Sequence, residues 1–110
     1  MKTTRPTENP ERVLLVGVGL KKAPRVPGVT PAEAERESLV ELDELARSAG
    51  AQVAGTVYQV RETRDPATVV GRGKLEEVKI EARLRKAPLI VFDGSLTPGQ
   101  QRNIERATEC

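Results

Sequence analysis

The sequence predicts an α/β domain in which a small, open, mainly parallel sheet is flanked by helices, in the order strand, helix, strand, helix, strand, helix. Three observations carry that expectation. Short apolar runs stand at Val13–Val18, Ala51–Val60 and Leu89–Phe92, with helix-length stretches between them. Helix-start residues recur as Thr30-Pro31-Ala32-Glu33 and Thr97-Pro98-Gly99-Gln100. The chain of 110 residues suffices for one hydrophobic core and not for two. Alternation of this kind implies right-handed crossovers between parallel strands.

Each element has its own reason. Residues 1–10 are polar, contain two prolines and are expected to form a disordered tail before a single domain over residues 11–110. Val13–Val18 is continuously apolar, as in a strand covered on both faces. Residues 19–29 hold Lys21, Lys22, Pro24, Arg25 and Pro27 and read as a long loop. A helix is predicted from Thr30 to about Ala49, with Leu39, Leu42, Leu45, Ala46 and Ala49 on its inner stripe and Gly50 as its left-handed stop. Residues 51–60 are β-branched and partly alternating, which predicts a strand with one less buried face. A charged loop follows, then a short extended piece at Ala67–Val70. A second helix is predicted over Lys74–Lys86, with Leu75, Val78 and Ala82 inward and Ile80 and Leu84 beside them. Pro88 ends it, Leu89–Phe92 forms a buried third strand, and a third helix runs through about Thr108. The pattern stops where a further strand is expected, so the chain reads as truncated before further elements.

Composition narrows the chemistry. Histidine is absent and the single cysteine is Cys110, which removes Ser-His-Asp and Cys-His catalysis and most zinc sites. Tyr58 and Phe92 are the only aromatics, against a base-stacking surface. The net charge of +2 conceals a segregation, +4 over residues 1–30 and −4 over residues 31–50. No signal peptide or membrane span is legible, and a cytoplasmic location is expected by default.

Two glycine clusters invite a nucleotide reading and fail. Gly17-Val18-Gly19 follows a strand, but Lys22 stands where the third glycine of a dinucleotide fingerprint belongs. Gly73-Lys74 resembles the end of a phosphate-binding loop, yet Thr68 replaces its first glycine and Leu75 its magnesium-binding hydroxyl. Gly71 and Gly73 are read instead as backbone freedom at a sharp turn, with Arg72 and Lys74 free to meet an anion near a helix N-terminus. Asp93 lies at the carboxyl end of the last strand, either as a turn former or as part of a ligand edge. Gln101-Arg102-Asn103 is a recognition surface or a solvated turn.

These segments together resemble a known family. Residues 65–77, Asp65-Pro66-Ala67-Thr68 through Gly71, Gly73 and Lys74 to Glu77, are similar to a stretch of the N-terminal domain of the HflX family of ribosome-associated GTPases. So is Val91-Phe92-Asp93 through Leu96-Thr97-Pro98 and Gln100-Gln101-Arg102-Asn103 to Glu105. The resemblance spans about residues 11–108. Val69-Val70 stand where the family commonly has an aromatic and an isoleucine, and Arg64 where it often has proline. What the resemblance implies is a regulatory module that docks on the large ribosomal subunit and its RNA, not itself an enzyme. GTP and magnesium are then expected in a GTPase domain absent from this chain, which would also be a partner of the module. Arg61, Arg64, Arg72 and Lys74 become the candidate phosphate contacts. Asp65, Pro66, Gly71, Gly73, Asp93, Pro98, Gln101, Arg102 and Asn103 are the motif positions. The sequence leaves open a stand-alone small-ligand or enzyme domain built on Asp93 and the Gly19–Val29 loop, and self-association through an open sheet edge.

Overall fold

The central strand is apolar from Val13 to Leu20 because helices lie on both of its faces. Leu14, Leu15 and Val16 are wholly inaccessible to solvent. The computed structural model describes residues 11–110, and the expected tail over residues 1–10 lies outside the described residues. β1 (Arg12–Leu20), α1 (Pro31–Ser48), β2 (Gln52–Arg61), α2 (Arg72–Leu84), β3 (Leu89–Phe92) and α3 (Pro98–Thr108) follow in order. The three strands form one parallel sheet in the order β2-β1-β3. The fold is therefore the open α/β arrangement that the alternation predicts.

Side chains of β1 alternate between two core layers. Val13 and Leu15 meet Leu39 of α1 on one face, with Leu42, Val53, Tyr58 and Val91 packed around them. Leu14 and Val16 meet Leu75, Val78 and Ala82 of α2 and Ile104 of α3 on the other, with Val57 and Phe92. Both Thr30 and Thr97 close complete capping boxes, with Glu33 and Gln100 reaching back to the cap amides and proline in the first turn. Gly50 carries the expected left-handed backbone, φ +95°.

Several boundaries and facings differ from the sequence reading. α2 begins two residues earlier, at Arg72, and ends at Leu84, where Lys86 takes a left-handed conformation, φ +55°. Leu45 is 68% exposed and Leu84 72%, so neither belongs to the inner stripe. Ile80 is also largely exposed. β3 is an edge strand among the described residues, and Leu89 is 40% exposed instead of buried. The other edge, β2, is interrupted at Ala54 by a register shift against Val13 and Leu14. There Arg85 Nη1 donates to the Ala54 carbonyl at 3.0 Å, which Gly55 permits because a Cβ on it would run into the Arg85 side chain. Bulge and arginine together blunt an edge that could pair with another chain.

Candidate functional site

The loop joining β2 to α2 is built around Asp65. Its carboxylate accepts from the amides of Ala67 at 2.8 Å and Thr68 at 3.2 Å, an Asx turn around Pro66. Those amides, Ala67 first, hold the acid below the usual carboxylate range, helped by Arg61 and opposed by desolvation. Backbone bonds of 2.9 Å in both directions tie Asp65 to Val69. Val69 is fully buried yet left-handed, φ +68°, a conformation that branched side chains rarely adopt. Residues 67–70 therefore form a closed turn and not the extended piece that their β-branching suggests. The backbone freedom assigned to Gly71 and Gly73 is in fact required at Val69. Gly71 is needed for space, since a Cβ there would lie 2.6 Å from Arg61 Nη1.

The second motif segment holds this loop from below. Asn103 donates to the Ala67 carbonyl at 3.0 Å and Gln100 to the Pro66 carbonyl at 3.3 Å. Pro98 opens α3 and thereby fixes the direction of both amides. Gln101 and Arg102 point to solvent, Gln101 donating to Glu105.

Four candidate cations divide between two places. Arg61 donates from Nε to the Thr63 carbonyl and lies against Gly71, the N-cap of α2. Arg72 is exposed in the first turn of α2, and Lys74 pairs with Glu77 at 3.1 Å. Gly71 offers this helix end no capping side chain and its first turn holds no acid, while Gln59 Oε1 accepts from the Gly71 amide at 2.9 Å. Arg64 is turned away from that group, with its guanidinium beside Gly94. Gly73 and Lys74 lie inside α2, and Leu75 is buried where a phosphate-binding loop needs a hydroxyl. The residues present do not fit a magnesium-nucleotide site at this position. Among the described residues no cluster of three metal-ligating side chains occurs, and no helix is long and apolar enough to cross a membrane.

The carboxyl edge of the sheet gathers a different set. The Asp93 amide donates to the Val16 carbonyl at 2.8 Å, and its carboxylate accepts from Ser38 Oγ at 2.6 Å. Glu35 reaches the same carboxylate from α1. Burial, then the hydrogen bond and charge of Asp93, push Glu35 up to about 8 against the opposing effect of Arg64. Sequence reasoning misses Glu35 and Ser38 because one helical turn of mixed charge looks like a solvated face. Their signal is Gly17-Val18-Gly19, which admits α1 against β1: a Cβ on Gly17 would collide with the Glu35 carboxyl and one on Gly19 with the Pro31 carbonyl. The Gly19–Val29 loop does not join Asp93 in a pocket. Its dent of about 340 Å³ is lined by residues 21–29 alone, and Arg25 braces it by donating to the carbonyls of Val29, Lys21 and Ala23.

Fold and motif contacts define a small parallel α/β domain whose two motif segments lock into one surface. The chain belongs to the family described as the N-terminal domain of GTP-binding GTPases, whose model matches residues 36–110. It is similar to the GTPase HflX of Lacrimispora saccharolytica, 39% identical over 90% of this chain and 21% of that protein. Against the GTPase HflX of Flavobacterium psychrophilum it is 35% identical over 94% of this chain and 24% of the relative. The Escherichia coli GTPase HflX is 34% identical over 69% of this chain and 18% of that protein. The chain thus spans a quarter or less of the length of these relatives.

Proposed function

We propose that this chain is the ribosome-binding and regulatory domain of an HflX-like GTPase, acting on the large subunit through its RNA backbone. The observation that supports it is the grouping of Arg61, Arg72 and Lys74 around the uncapped N-terminus of α2, on a loop braced by Asp65, Gln100 and Asn103. Backbone amides, a helix dipole and three cations suit phosphate oxygens and read no sequence. Arg64 supplies a fourth cation at the sheet edge. GTP and magnesium are bound by a part of the protein outside this chain, so the domain hydrolyses nothing by itself and couples to that part by contact.

Titration of binding to isolated large ribosomal subunits against salt tests this reading. Affinity is expected to fall steeply as salt rises, because each neutralised phosphate releases counterions. Reversing charge with Arg72→Glu and Lys74→Glu is expected to weaken binding at least tenfold and to lower the salt slope by roughly 1 for each phosphate no longer neutralised. Binding indifferent to salt and to both substitutions would overturn the assignment.

A further inference from the structure

Glu35 packs over β1, where Gly17 leaves room for its side chain, and Ser38, one turn further along α1, donates to Asp93 at 2.6 Å, which sets the two acids, far apart in the chain, beside each other. Glu35 Oε2 is closed to solvent and accepts no hydrogen bond among the described residues. An ionised Glu35 therefore leaves a buried acceptor without a donor and a negative charge beside a second one. A proton on Glu35 removes both penalties, since its O–H then donates to the Asp93 carboxylate while Ser38 donates to Oδ2 of the same group.

The surroundings are few. β1 presents Gly17 and Gly19, which do not titrate. β2 presents Tyr58, in register with Gly17 and covered by the Arg36 guanidinium 5.9 Å from its ring centroid. The β2–α2 loop contributes Arg64, and Glu37 on α1 faces solvent. Arg64 lowers the cost of charge on the pair but is outweighed by burial and by Asp93.

We propose that Glu35 and Asp93 hold one proton between them and form a pH-sensitive latch: protonated, it fastens α1 to the end of β3, and its release draws Arg64 onto two carboxylates. Counted over Glu35, Asp93 and Arg64, the corner passes from neutral to one net negative charge. Phosphate affinity at this edge then weakens with rising pH, whereas the latch itself does not depend on what the domain binds.

The linkage has a definite sign. The Glu35 carboxyl is raised from 4.5 to about 8 in the folded chain, so its contribution is fully present below 4.5 and lost as pH rises through about 8. Carboxyl carbon NMR of the chain over pH 4–9 reads the proton directly. The expected result is a Glu35 resonance that titrates near pH 8. Thermal unfolding over the same range is expected to show the unaltered chain losing several degrees and Glu35→Gln, which keeps a donor at all pH values, losing none. A Glu35 carboxyl that titrates below pH 5 would overturn the latch, as would a Glu35→Gln chain with the unaltered pH profile. Should Glu35→Gln fail to fold, the titration of the unaltered chain decides alone.

Discussion

Gly19 has room for a hydrogen and for nothing larger. A Cβ built there would stand 2.7 Å from the carbonyl oxygen of Pro31, a backbone atom fixed by the capping box of α1. Relief would require the whole first turn of the helix to move. Gly19→Ala is accordingly expected to destabilise the fold by about 1–3 kcal/mol, the range of overpacked interiors. Urea unfolding measures it, and a loss under about 0.5 kcal/mol would mean that α1 glides on β1. Val69 shows the opposite balance, since its left-handed backbone is unfavourable while its side chain is wholly buried. Asp65 is the residue that stabilises this conformation, through the two amides that its carboxylate accepts and the paired backbone bonds to Val69.

Between elements, the amide side chains of α3 brace the loop before α2. Asn103 makes one hydrogen bond to the Ala67 carbonyl, and its removal costs global stability little, about 1 kcal/mol. The local consequence is larger. Asn103→Ala is expected to accelerate hydrogen exchange at the Ala67, Thr68 and Val69 amides well beyond any change in the strands, because the turn loses the anchor that faces it. Equal acceleration everywhere would show that Asn103 serves overall stability and not this loop. Such bracing explains why the two motif segments, whose contacting residues stand 34 and 36 positions apart, come together in one surface: one supplies the turn and the other the floor beneath it.

For the molecule as a whole, burial on two faces separates residues that look alike in sequence. Leu14 is inaccessible in the centre of the sheet, whereas Leu84 is 72% exposed at the end of α2. Leu14→Ala is expected to cost about 2–5 kcal/mol and Leu84→Ala less than about 0.5 kcal/mol. Denaturant midpoints of the two variants check the contrast, and equal losses would contradict the described packing.

The order of elements, the parallel sheet, both capping boxes and the family were legible in the linear chain, because each is written in local spacing or in a continuous motif. Apolar runs, Thr-Pro starts and Gly50 act over a few residues, so a linear reading reaches them. Which residues of an inner stripe are covered depends on how the elements pack. Leu45, Ile80, Leu84 and Leu89 sit where three strands and three helices leave faces open. The left-handed turn at Val69 also lay beyond local propensity, which favours extended backbone for valine, because the bonds that hold it include long-range support from α3. The meeting of Glu35, Ser38, Arg64 and Asp93 is the extreme case. Their separation in sequence hides it, and it exists only because parallel crossovers bring the carboxyl ends of neighbouring strands to one edge, where α1 closes over glycines that leave room for its acid.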